Sequence, residues 1–291
     1  MGSLDDLEDA THLEAICSRA RAAWLLDGAA LLAEDDDGDY EEATRDFEQS
    51  LRLAYRVGWD IEPMQVPVGD LDRRRGIMNG PLYTSEKYPW PIGKHEYYLV
   101  PIVQIDLAEV SALSGHTFGS GLAQLWQDEV SMVTRIIPEQ DFRSFEPSVV
   151  PAFVADGNIE QLQFDLGDQG LPSFLSNSHQ ITGFAGPYIF GPWDRDELLD
   201  RYIASPLCSA SLALQLSALR HAVQVGRDRF SQITRLLGSF NPVQVRPEDH
   251  PPALFSSDDD SVLNTGDSGM VAMFAKIEAE GTILSGIFNS C

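Results

Sequence analysis

A seven-residue string recurs 148 positions along the chain: Ser120-Gly121-Leu122-Ala123-Gln124-Leu125-Trp126 aligns with Ser268-Gly269-Met270-Val271-Ala272-Met273-Phe274. Upstream, Pro101-Ile102-Val103 before Asp106 aligns loosely with Pro252-Ala253-Leu254 before Asp258. Internal similarity constrains a fold more than composition does, because both copies must suit the same local structure. Glycine suits a turn that needs positive φ, and the apolar run behind it suits a strand buried on both faces. The repeat therefore predicts two related halves, about 63–150 and 180–291. Each would hold a buried strand, a polar loop, a Ser-Gly turn and a second strand ending in an aromatic residue.

Further β-rich runs lie at 97–105, 122–126, 132–137, 270–277 and 282–288. Residues 4–58 read instead as two helices. Leu13, Ile16, Ala20, Ala23, Trp24, Leu31 and Leu32 recur at helical spacing in the first, and Tyr40, Ala43, Phe47, Leu51, Ala54 and Tyr55 in the second. The acids of 34–39 form a solvated turn between them and suit the start of the second helix. Residues 195–237 read as helix again, most clearly at Leu212–Leu219 and Phe230–Leu237. Strands mixed with helices, without βαβ alternation, predict an α+β fold with mixed or antiparallel sheets and internal pseudo-duplication. An acidic N-terminal α-helical hairpin (1–62) would precede the main domain (63–291).

The 291 residues include 45 acids against 20 bases, a formal charge of −25. A chain this acidic has no electrostatic footprint for nucleic acid and is repelled by anionic membrane surfaces. It suits a soluble protein or one with a basic partner. The start of the chain has neither the basic nor the apolar region of a signal peptide, and no apolar run approaches the ~20 residues that span a bilayer. Cys17, Cys208 and Cys291 are too widely spaced for a disulfide framework or a CxxC site. The expected compartment is the cytoplasm.

Several strings suggest chemistry and fail on inspection. Gly266-Asp267-Ser268-Gly269 occurs around serine-protease nucleophiles. Here Met270 and Val271 follow it, and the repeat places Ser120 at the equivalent position, which points to turn geometry. An EF-hand loop with Gly38 sixth would need acids where Ala33 and Thr44 stand. The six histidines show no HxH or HExxH spacing, and there is no GxGxxG, GxxxxGK[ST] or GxSxG. No catalytic residue, metal ligand or cofactor emerges. Asn79-Gly80-Pro81, Pro89-Trp90-Pro91 and Gly183-Phe184-Ala185-Gly186-Pro187-Tyr188 are aromatic and proline clusters at strand or turn positions, read as rigid turns over a sheet end, with a shallow aromatic-walled pocket or a protein-contact rim as the functional alternative. Gln104, in an apolar strand, needs a hydrogen-bond partner if buried. It serves a neighbouring loop or lines a site, in which case Trp90, Asp106, Trp126 and Asp267 join it as pocket candidates.

Taken in order, Gly80-Pro81, Pro89-Trp90-Pro91, Val103-Gln104-Ile105-Asp106-Leu107 and Ser120–Trp126, then Leu236-Leu237-Gly238, Pro242-Val243-Gln244 and Gly266–Phe274, resemble the YwqG-like family of bacterial proteins. The resemblance covers roughly 65–291 and implies an α+β domain with internal pseudo-symmetry. It brings no catalytic residues. Some members of that family are thought to act as immunity proteins that neutralise a toxin. The chain departs from the pattern between about 130 and 235, and carries Thr265 where a Trp is expected before the Gly-Asp turn. The leading expectation is a non-enzymatic binding protein, an immunity-type inhibitor of a basic toxin. Residues 1–62 hold 17 acids and 5 bases, −12 of the total −25. The expected partner surface is the hairpin tip, at Asp35, Asp36, Asp37, Asp39, Glu41 and Glu42. The rival is an enzyme or small-molecule binder with a pocket near Trp90, Gln104 and Trp126.

Overall fold

In the computed structural model of the chain, residues 56–93, 96–127, 132–152, 178–190, 234–238, 253–257, 270–279 and 281–289 are described, with scattered positions between 14 and 22 and between 200 and 217. Among these residues ten strands form one sheet: β1 (Arg56–Gln65), β2 (Ile77–Met78), β3 (Val100–Asp106), β4 (Leu122–Gln127), β5 (Met132–Ile137), β6 (His179–Phe190), β7 (Thr234–Leu237), β8 (Ala253–Ser257), β9 (Met270–Glu278) and β10 (Gly281–Asn289). Two short helices with defined ends interrupt it, α1 (Leu107–Ser114) and α2 (Glu139–Ser144). The strand order is β10-β9-β8-β7-β1-β6-β2-β3-β4-β5. Every pairing in it is antiparallel.

That order has a two-fold correspondence. Each of the long strands β1 and β6 is followed in sequence by a meander of four strands. Yet β1 pairs with β7, the first strand of the second meander, and β6 pairs with β2, the first of the first. The long strands are thus exchanged between halves and bound to each other, from Arg56 opposite Phe190 to Gln65 opposite His179. β4 and β9, which carry the repeated string, occupy corresponding places. So do β3 and β8, down to a bulge between Pro101 and Val103 in one and between Ala253 and Phe255 in the other.

Alternation explains the core. Val57, Trp59, Ile61, Val103, Ile105, Ala123, Leu125, Leu236, Phe255, Val271 and Met273 share one buried cluster from both halves, as period-two side chains on one face of a curled sheet must. The edges approach each other: Thr134 Oγ1 on β5 donates to the Leu284 carbonyl on β10 at 3.1 Å, and Gly286 lies against Leu125 and Met132. The sheet is nearly a barrel, and curling shelters edges that would otherwise be exposed.

The α+β expectation with a leading helical hairpin is overturned. Among the described residues the architecture is an antiparallel sheet with two short helices. Residues 56–62, expected in the hairpin, belong to the central strand. Their Val57-Trp59-Ile61 alternation is a strand signal that the helical periodicity of the preceding residues overran. Glu14, Ala15, Ser18, Arg19 and Ala22 are helical; the rest of the expected hairpin before 56 lies outside the described residues. Helix is also found at Asp200, Ile203, Ala204 and positions from Ala210 to Ser217, but Thr234–Leu237, read as helix, is β7. An apolar run this short fits either structure, and pairing on both edges decides it. The Gly183–Tyr188 cluster is not a turn but part of β6. Gly186 and Pro187 both stand opposite Trp59 at a bulge, a position where proline costs the ladder little.

Gly121, in the Ser-Gly turn before β4, has φ +137°, and a Cβ there would sit 2.5 Å from the Ile137 carbonyl oxygen. Its own carbonyl accepts from Leu107 N–H at 2.9 Å, which fixes the entry to α1. Gly121→Ala is expected to destabilise the protein by about 1–3 kcal/mol through backbone strain, read as a lower urea midpoint. Its counterpart Gly269 lies outside the described residues.

Candidate functional site

The opposite face of β6-β2-β3-β4-β5 carries a row set by strand register: Gln180, Ile77, Gln104, Gln124 and Arg135 stand opposite one another in turn. Side chains directly opposite across antiparallel strands share a face. Gln104 and Gln124 are fully buried. Gln104 Oε1 accepts from Tyr83 N–H at 2.8 Å and from Gln124 Nε2 at 2.6 Å. Its Nε2 donates to the Arg73 carbonyl at 3.0 Å and the Arg75 carbonyl at 2.6 Å. Gln124 Nε2 also reaches the Tyr83 carbonyl at 2.9 Å, and its Oε1 accepts from Arg135 Nε at 2.6 Å and Trp126 Nε1 at 3.2 Å. Gln180 repeats the pattern, accepting from Asp72 N–H and donating to the Gly76 carbonyl. Each glutamine presents a donor and an acceptor to a passing backbone, which satisfies a buried loop as another strand would.

Two guanidiniums close the network, Arg73 buried and Arg135 partly buried. Arg135 lies 5.2 Å from the Trp126 ring and donates to the carbonyls of Pro89 and Tyr83. Arg73 donates to the Leu82 carbonyl at 2.6 and 3.0 Å, to Thr84 Oγ1 at 2.7 Å and to the Ser148 carbonyl. Burial pulls both down from 12.5 to about 10, partly offset by Tyr83 beside Arg73 and Tyr88 beside Arg135. Both stay charged at neutral pH, with neutral oxygens and an indole face supplying the stabilisation. Trp90 packs edge-on against Trp126, centroids 5.1 Å apart, and its Nε1 donates to the Leu99 carbonyl at 2.8 Å. At the outer margin Asp141 Oδ2 accepts from Lys87 Nζ at 2.7 Å and Tyr88 Oη at 2.6 Å, clipping the 84–88 loop to α2. These two bonds, above all that from Lys87, hold the Asp141 carboxyl below its ordinary value.

The structure thus brings Trp90, Gln104 and Trp126 together, but as a packed polar core. Trp126 is fully buried and Trp90 nearly so. Amides, indoles and protonated guanidiniums accept no proton at neutral pH, so the arrangement positions backbone and does not transfer protons. Asp106 does not join it. Its Oδ1 accepts from Ala108 N–H at 2.9 Å and caps α1, as its place before an apolar helical turn suits. Asp267 and the tip acids Asp35, Asp36, Asp37, Asp39, Glu41 and Glu42 lie outside the described residues. The sequence reading missed Gln124 and Arg135, although the rule that singled out Gln104, a polar residue inside an apolar strand, applies to both. Arg73 and Gln180 carry no comparable local signal, because the first is in a loop and the second pairs across more than a hundred residues.

The corresponding row of the second half reads Asp60, Arg235, Ser256, Ala272 and Ile287. Its outer end is apolar, with Ala253, Ala272 and Phe274 clustered and Ile287 against them. Its inner end puts a half-buried carboxylate beside a buried arginine, where the first half has Gln180 and Ile77. Burial raises the Asp60 carboxyl from 3.8 to about 6, against the attraction of Arg235 and a hydrogen bond from the Ile61 backbone; Glu62 adds to the rise. Among the described residues no group of three or more His, Cys, Asp or Glu side chains could hold a metal ion, and no helix is long and apolar enough to cross a membrane. No protein-family model and no curated protein matches the chain.

Gln104→Leu would strip partners from the Tyr83 N–H and from the Arg73 and Arg75 carbonyls. The expected loss is about 1–3 kcal/mol for each group left unpaired, with a fall in the urea midpoint larger than that of a surface Gln→Leu control such as Gln140→Leu.

Proposed function

We propose that this chain is a non-enzymatic, cytoplasmic binding protein whose partner is a basic protein, and that it acts as an immunity-type inhibitor in the manner its YwqG-like resemblance implies. The observation that carries the reading is the state of the glutamine row. The polar groups that an enzyme or small-molecule site would have used, Gln104 foremost, are engaged with the protein's own loops. Trp90 and Trp126 pack against each other. This argues against the pocket alternative.

Charge supports the same reading. With the sheet starting at Arg56, the segment before it, 1–55, carries 15 acids and 4 bases. A cationic partner is drawn toward such a segment, and the attraction speeds association more than it adds affinity. If the toxin is a nuclease, clustered carboxylates at Asp35, Asp36, Asp37, Asp39, Glu41 and Glu42 stand in for nucleic-acid phosphates.

The test is capture from the native cell at low and moderate salt, using the full chain and a variant with those six acids changed to Asn or Gln. The expected result is a basic protein retained at low salt, bound less at moderate salt and lost with the variant. Capture of no basic protein at either salt, or equal capture by the variant, refutes it.

A further inference from the structure

The second half carries more hairpin than the first. Gln127 pairs with Met132 at the turn end of β4–β5, and Ala275 pairs with Leu284 at the corresponding place of β9–β10. β4 and β5 stop there, with 6 residues each. β9 and β10 have 9 each and run on through 276–278 and 281–283. Among the described residues the β8 ladder ends at Phe274, opposite Ala253, so 276–278 pair with β10 alone. Ile277 and Ile283 are both more than half exposed, and Lys276 Nζ pairs with Glu278 Oε1 at 2.7 Å. Burial of apolar surface therefore does not account for the extension.

Its contacts run instead to the first half. Thr282 Oγ1 donates to the Phe118 carbonyl at 2.7 Å. Phe118 is buried in the central cluster, and its N–H donates to Ser111 Oγ of α1 at 3.0 Å, so the hydroxyl is tied to a fixed point. Two residues along β10, the Leu284 carbonyl accepts from Thr134 Oγ1 of β5 at 3.1 Å. Two further, a Cβ on Gly286 would stand 2.8 Å from Met132 Cβ, so glycine lets the two edges come this close. These contacts set an antiparallel register, forward on β5 and back on β10. Yet β5 and β10 stand at opposite ends of the strand order, and no backbone ladder joins them among the described residues.

We propose that the extension is a strap that fastens the barrel shut, and that the seam between β5 and β10 opens when the strap is released. Neighbouring strands elsewhere in the sheet are joined by backbone bonds. The seam hangs on two hydroxyl–carbonyl bonds and on the packing of Leu284, Met132 and Ile136 against the core. Local opening takes the route that breaks the fewest contacts, and here that route is the seam. Threonine suits the fastening, because its branched side chain has little rotamer freedom to lose in making the bond. Closed, the seam hides two edges; open, it presents β5 and β10 as templates for another strand.

Thiol labelling of a cysteine under the strap tests this in the full chain, with Cys17, Cys208 and Cys291 replaced and the reagent slow enough for labelling to follow the opening equilibrium. Ala275→Cys places the thiol at the base of the extension, where Ala275 is buried; Val103→Cys, buried on β3, reads opening of the whole fold. Adding Thr282→Val, which removes the donor and keeps the shape, should speed labelling at 275 by roughly five-fold, the worth of one such bond, and leave labelling at 103 unchanged. Thr282→Ser, which keeps the hydroxyl, should label at the wild-type rate. Replacing 276–283 by 128–131, the segment that joins β4 to β5, removes the strap without breaking the repeat and should speed labelling at 275 more than Thr282→Val does. An unchanged rate at 275 after either change, a Thr282→Ser chain as fast as Thr282→Val, or equal acceleration at 103 overturns the strap.

Discussion

The pairing of β1 with β6 is the contact on which the rest of the sheet depends. Among the described residues these two strands bring the halves together in the middle of the strand order, and each carries the other half's meander on its free edge. Neither half can complete its own sheet without the strand contributed by the other. The consequence is a fold stabilised by contacts distant in sequence, with Trp59 from before the first meander packed among Leu236 and Phe255 from the second. Such topologies form slowly and cooperatively, because loop closure must precede the pairing that rewards it.

Within that frame the halves solve the same problem differently. Each needs the outer face of its strands covered. The first uses amide side chains as surrogate backbone: Gln104, Gln124 and Gln180 bond the backbone of Asp72, Arg73, Arg75, Gly76 and Tyr83. Two arginines, one buried and one partly buried, are held here without carboxylate partners among the bonds that hold them, a desolvation cost offset by several carbonyl bonds and an indole face. The second half keeps the register but substitutes Ser256 and Ala272 for the two central glutamines and places charge at Asp60 and Arg235. Related halves that diverge at one row have been freed there from a shared structural demand.

What could be read in advance follows the range of the signal. The strand at Met132–Ile137 and those at Leu122, Met270 and Gly281 announce themselves through β-rich composition between turn residues. Gln104 declares a buried polar group on local grounds alone. The role of Asp106 was not legible, because a carboxylate at a strand end is equally a ligand or a helix cap until the next residues are seen to turn. Arg56–Gln65 failed for a related reason. A strand that pairs on both edges is chosen by its neighbours, and a window of local periodicity does not contain them.

By itself the sequence determined the composition of the interior, the repeated turn-and-strand unit and the charge of −25. These are properties of side chains and of residues a few positions apart. Only the tertiary structure decided that the unit belongs to a near-barrel with exchanged central strands, and that Gln104 and Trp126 hold a loop where a pocket had been a candidate. It also decided that Asp60 stands beside Arg235. Register is the physical reason: a residue's partner across a ladder is fixed by the alignment of two distant segments, and a slip of one position would turn each of these side chains to the opposite face.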